Sequence, residues 1–199
     1  MKPHHSFIVA LCLGITIVSC GNGAGNTDSV DSAKNINDSV ANTAKDSATT
    51  PQAAAPADKK DADFAVEAAN GGMAEVAMGQ VAATNAASQR VKDFGAMMVK
   101  DHSEAGDKLK QLAQQKNITL PSALADKEQK MLADLQKKKG KDFDKAYMNM
   151  MLDDHKDDIK EFQKASTDCK DSDLKNFAAT TLPVLQKHLD SVKAILGKH

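Results

Sequence analysis

The stretch Phe94–Leu112, FGAMMVKDHSEAGDKLKQL, decides how this chain folds. Val91, Phe94, Met98, His102, Ala105, Leu109 and Leu112 recur at steps of three and four, the spacing of one face of an α-helix. His102 stands on that face where an apolar core residue is expected. Outward from it the same pattern recurs three times, each time with a polar residue on the apolar stripe. Phe64, Ala68, Gly71, Glu75, Met78 and Ala82 place Glu75 on a helix expected over Asp61–Ala87. Met148, Met151, His155, Ile159 and Phe162 share a second face, and Leu174, Phe177, Thr181, Leu185, His188, Val192 and Ile195 a third.

Four long amphipathic helices with short connections at two of the three junctions predict an all-α, antiparallel four-helix bundle. Leu124, Lys127, Met131 and Leu135 make a weaker stripe, so an extra short helix is expected over Ser122–Lys138, between the second and third long ones. Asn117 should end the His102 helix, with Leu120-Pro121 as stop and restart. Gly71-Gly72 should allow close approach by a neighbouring helix. Asp142 can cap the third long helix and Asp171 or Ser172 the last, in which Pro183 should produce a kink or bulge.

Aromatic content is 4% and Trp is absent, so the core must be built from aliphatic and methionine side chains, which suit helices better than strands. Net charge is −1 and no long basic face appears, which argues against nucleic-acid binding.

Residues 1–19 have a polar, basic start and a short apolar core from Phe7 to Val18, too short to span a bilayer permanently, and read as a signal peptide. Ile17-Val18-Ser19-Cys20 follows the apolar–small–Cys order of a lipobox, which predicts cleavage before Cys20 and lipidation of its thiol. That reading makes a membrane the partner and places the protein at a bacterial cell envelope, on the periplasmic face. Residues 20–60, rich in Ala, Asn, Ser, Thr and Asp, read as the lipidated cysteine and a disordered tether, and 61–199 as the folded domain. With Cys12 cleaved off and Cys20 lipidated, Cys169 is left without a disulfide partner and reads as a free surface thiol in a turn.

At about 1.5 Å per residue, Glu75 and His102 lie roughly 20 Å from the turn between their helices. His155 and His188 lie roughly 21 and 28 Å from the turn near Cys169, so His188 is out of level unless Pro183 shifts it. Three imidazoles and a carboxylate are donors that iron, zinc, copper or manganese accept. Glu75, His102, His155 and His188 are therefore the candidate ligands for one transition metal ion. Asp101, Asp154 and Asp158 are candidate supporting carboxylates, because a ligating histidine usually donates its other ring N–H to such a group. The same four residues also read as a buried network that fixes helix register with no cofactor. Met97, Met98, Met148, Met150 and Met151 read as core fillers rather than copper ligands. No nucleophile–base pair, phosphate-binding glycine loop or zinc-protease motif is present, so no catalytic residue is assigned. Binding without turnover is expected; the alternative is a non-catalytic structural or interaction module of the envelope, made under stress, with redox chemistry at the metal as a third reading.

The motifs V-K-x-F-x-x-M-M-V-x-D-H at Val91–His102, F-D-x-x-Y-M-x-x-M-x-x-D-H at Phe143–His155 and L-P-x-L-x-x-H-L at Leu182–Leu189 are joined by F-x-x-x-A-A-x-x-G-x-x-E ending at Glu75. Together they resemble the bacterial "domain of unknown function 4142" family of exported or lipid-anchored proteins. The resemblance implies a ferritin-like bundle with Glu75, His102, His155 and His188 as its inward polar residues, and no assigned activity. Di-iron relatives carry Glu three residues before a ligating His. Here those positions are Val99, Leu152 and Leu185, which argues against a di-iron carboxylate centre.

Overall fold

A computed structural model describes residues 28–46 and 56–197. Six helices account for the ordered elements: α1 (Ser29–Asp46), α2 (Lys59–Asn85), α3 (Gln89–Gln115), α4 (Asp126–Gln136), α5 (Gly140–Asp168) and α6 (Ser172–Leu196). No strand occurs among the described residues. The long helices α2, α3, α5 and α6 match the four expected from periodicity, and α4 is the short helix between the second and third of them.

Helices α2 and α3 form one hairpin and α5 and α6 the other, with α2 meeting α5 and α3 meeting α6 across the bundle. The α2–α3 turn is held from outside, since Asp144 of α5 accepts hydrogen bonds from the Ala87 and Ser88 N–H groups at 3.0 Å each. Buried Asp61 does the same at the opposite end, accepting from the Lys170 and Asp171 N–H groups of the α5–α6 turn. Each end is thus pinned by a carboxylate that satisfies backbone donors no helix can satisfy. Asn117 adopts φ of 55° after α3, a left-handed stop that asparagine tolerates. Asp171 caps α6 through the Asp173 and Leu174 N–H groups. Pro183 sits inside α6, which continues as helix to Leu196.

Several expectations are corrected. Part of the anticipated tether, residues 29–46, is helix α1 packed on α2. Among the described residues Val30 and Ala33 are its buried apolar side chains, set against Val66 and Ala125, while Ile36 and Val40 stay exposed. The docking is otherwise polar: the Asn37 side-chain amide donates to the Thr119 carbonyl and accepts from the Thr119 N–H. Ser29 accepts from Ser122 and Ala123, and Asp28 from Asp126. Those contacts hold residues 120–125 out of helix, which is why α4 starts four residues later than its stripe suggested. Helix α5 starts at Gly140, so Asp142 lies in its first turn and Lys139 occupies the cap position. The signal-peptide residues 1–19 and Cys20 lie outside the described residues. Among the described residues no helix is long and apolar enough to cross a membrane.

Cys169 is 5% exposed, not on the surface. Burial, then the charge of Asp61, pushes its thiol up to about 12. Since only the thiolate reacts, Cys169 is expected to resist alkylation at pH 8 in the native protein and to react within minutes in denaturant. Mass spectrometry of the Cys169 peptide reads this directly, and equal labelling in both states would refute the buried placement.

Two apolar layers make the core. One surrounds Met78, Phe94, Met98, Phe143, Tyr147, Met148 and Met151 toward the α2–α3 turn. The other surrounds Phe64, Leu109, Phe162, Leu174, Phe177 and Leu185 toward the α5–α6 turn. Met98, Met148 and Met151 are therefore core fillers, as their spacing suggested. The polar residues lie between the layers.

Candidate metal centre

Each long helix contributes one polar residue to the mid-height layer. Glu75 is 3% exposed, and His155 and His188 are fully buried. The three imidazoles form a triangle with ring centroids 5.9 Å apart for His102–His155 and 5.2 Å for His102–His188 and His155–His188. His188 is therefore level with the others, although its Cα lies about a turn farther from the hairpin end than that of His155. Side-chain direction closes the gap. Helical Cα–Cβ bonds tilt toward the N-terminus, which turns His188 toward the α5–α6 turn and His155 away from it.

Each imidazole has one nitrogen held by an acceptor. His102 Nδ1 donates to Glu75 Oε2 at 2.8 Å. His155 Nδ1 donates to the Met151 carbonyl at 2.9 Å, and His188 Nε2 donates to Asp101 Oδ2 at 3.0 Å. A carbonyl or carboxylate oxygen can only accept, so the proton position on each ring is fixed by its partner. The opposite nitrogens, His102 Nε2, His155 Nε2 and His188 Nδ1, are buried without partners. One nitrogen from each of the three rings lies within 4.8 Å of the others. Three nitrogens at about 2.05 Å from a tetrahedral zinc would be about 3.4 Å apart, an approach within reach of side-chain rotation.

Glu75 also faces inward. Its Oε1 is buried and unpartnered, and it lies 3.4 Å from His155 Nε2. With the His155 proton on Nδ1, two lone pairs confront one another there, an arrangement relieved by a metal ion beside them or by a proton on either group. Burial opposes charge on Glu75, but the positive character of His102 and then His155 outweighs it and holds the carboxyl below its ordinary value. Burial opposes charge on His102 as well, and Glu75 outweighs it and raises that imidazole. Burial lowers His155, and it lowers His188 to about 4. Glu75 and His102 thus favour each other's charged forms, while burial pushes His155 and His188 toward the neutral imidazole that donates to a metal.

Of the supporting carboxylates, Asp101 is bound to His188 on α6 rather than to His102 beside it in sequence. Asp158 groups with Glu75 and His155, with ligand atoms within 4.8 Å. Asp154 is partly buried, and burial followed by the charge of Glu75 pushes its carboxyl up to about 7. No hydrogen bond joins Asp154 to a histidine among the described residues. Two features had no signal in the sequence. The acceptor behind His155 is a backbone carbonyl, and Tyr147, its hydroxyl buried and unpartnered, stands against Phe94 in the layer below. Burial and the Glu75 charge raise that hydroxyl well above its ordinary value.

A cavity of about 630 Å³ opens beside the cluster. Its walls are mostly apolar, from Ala69, Met73, Leu109 and Phe177, while Glu75, His102 and Asp158 are among the polar residues that line it.

This is an all-α bundle with a buried histidine–glutamate layer at mid-height. The chain belongs to the family described as Domain of unknown function (DUF4142), whose model matches residues 46–195. No curated protein and no solved structure matches the chain.

Proposed function

We propose that the domain is a transition-metal-binding module of a lipid-anchored cell-envelope protein, holding one ion through His102 Nε2, His155 Nε2 and His188 Nδ1. The observations that support it most are the gathering of three buried histidines, with one nitrogen of each within 4.8 Å of the others, and the unpartnered nitrogen that each ring retains while its other nitrogen is held by an acceptor. That is how histidine ligands are oriented in metal sites, the outer acceptor fixing both tautomer and ring direction. Glu75 acts behind His102 and leaves Oε1 toward the ion as a fourth, anionic donor. An anchor at Cys20 would hold the bundle at a membrane, and its lipid is testable by mass spectrometry of the mature N-terminus.

Elemental analysis of protein purified without a metal-binding tag is expected to find roughly one equivalent of a single transition metal, retained through gel filtration. A protein free of metal that also ignores added zinc, copper and iron would overturn the reading. One observation favours a different outcome: the Glu75–His102 bond is complete without any ion. On that second reading the layer only locks helix register, and the module serves as a structural or interaction domain.

A further inference from the structure

We infer that the centre offers a second ion position, mutually exclusive with the three-histidine one, made by Glu75, His155 and Asp158 and suited to manganese(II). This inference rests on the proposal that the buried histidines bind metal, and it concerns which ion sits where.

Glu75, His155 and Asp158 each bring one ligand atom within 4.8 Å of the other two, as do His102, His155 and His188. His155 belongs to both groups. Its Nδ1 is committed to the Met151 carbonyl, so Nε2 is its one available donor. A single imidazole lone pair binds a single ion, and the two positions must therefore compete.

The positions differ in chemistry. Three nitrogens match zinc or copper, which accept imidazole and low coordination numbers. One nitrogen with two carboxylates is an oxygen-rich set that suits manganese(II), which also wants about six ligands and keeps water among them. Room for water lies beside it: Glu75 and Asp158 both line the 630 Å³ cavity, which His102 also reaches and His155 does not. Gly71 stands beside this position, since a side-chain carbon there would meet Asp158 Oδ1 at 3.9 Å. Glu75 Oε1, buried and unpartnered, is the donor that belongs to this position in the absence of an ion at the other.

The test uses the full chain stripped of metal and titrated with manganese(II), followed by the loss of the free-ion electron paramagnetic resonance signal. Manganese is expected to bind at roughly one equivalent and to be released one for one as zinc is added. The variant Asp158→Asn should weaken manganese at least about tenfold and leave zinc within about twofold. His188→Ala, with His188→Gln as the better-packed alternative, should weaken zinc about a hundredfold or more and leave manganese nearly unchanged. Simultaneous binding of both ions without displacement would overturn the inference. So would zinc binding with no manganese binding, or two variants that weaken both ions equally. If neither ion binds, the metal reading of the whole centre fails with it, and the wild-type titration alone shows which has happened.

Discussion

Replacing both His102 and His155 with alanine is expected to strip the protein of its metal while leaving its helices in place. Structural zinc sites are worth roughly 10–16 kcal/mol over about four ligands, so each donor contributes about 3 kcal/mol, more than a hundredfold in affinity. Losing two should weaken binding about ten-thousandfold, which elemental analysis reads as absence. The helices should survive because alanine has the highest helix propensity and each position lies mid-helix in α3 or α5. The packing cost is about 2–4 kcal/mol, and Glu75, deprived of His102, can take up a proton rather than remain buried and charged. Unchanged metal content in the double variant would remove these residues from the site. A graded comparison sharpens the test: Asp101→Asn, which disturbs only the acceptor behind His188, should cost about 10–100-fold. Acid should act in the same direction. Glu75 raises His102, so a proton competes with the ion from above the usual imidazole range, and affinity should fall steadily as pH drops into that range.

Alanine at Gly95 is expected to be the most damaging conservative change in the bundle. A Cβ there would lie 2.6 Å from the Ala82 Cβ and 2.8 Å from the Gly79 carbonyl oxygen. At Gly79 it would lie 2.7 Å from the Gly95 carbonyl oxygen. Neither a backbone oxygen nor an alanine methyl can rotate away, so α2 and α3 must separate. Glycine to alanine in a helix normally gains about 1 kcal/mol in propensity. Here overpacking should reverse the sign, with a net loss of about 2–4 kcal/mol and a fall in Tm of about 5–15 °C. The control is Gly106→Ala, where a Cβ meets nothing within 4 Å and a small gain in Tm is expected. Opposite shifts, with the fall at Gly95 the larger, would confirm the contrast, while a rise in Tm for Gly95→Ala would refute the close crossing. Glu75 lies one turn from Gly79 on α2 and His102 two turns from Gly95 on α3, so this crossing also sets the 2.8 Å Glu75–His102 contact. Weakened metal binding should accompany the lost stability.

The glycines show where reading the chain runs short. Gly71-Gly72 looked like the place of close helix approach, yet a Cβ at either position meets nothing nearer than 3.9 Å. Gly79 and Gly95 are the crossing, and each is a lone glycine in an otherwise ordinary helical pattern. Helix α1 was missed for a related reason. Residues 29–46 are too poor in apolar side chains to fold for burial alone, and they dock mainly through hydrogen bonds to backbone groups 80 to 100 residues away, such as that of Asn37 to Thr119.

Periodicity determined the four long helices, the short fourth one and the inward direction of Glu75, His102, His155 and His188, because the 3.6-residue turn is a local property that each segment carries alone. The family followed from the motifs around those positions. Tertiary structure decided how the inward residues meet. Asp101 serves His188 across the bundle instead of its neighbour His102, Glu75 stands behind His102 with one oxygen left over, and Cys169 is buried beneath a turn. The level of His188 depended on the tilt of side chains in opposed helices rather than on a count of residues. Helix tilt, rotation and spacing are set by the sum of contacts from every partner, and no single segment contains that information.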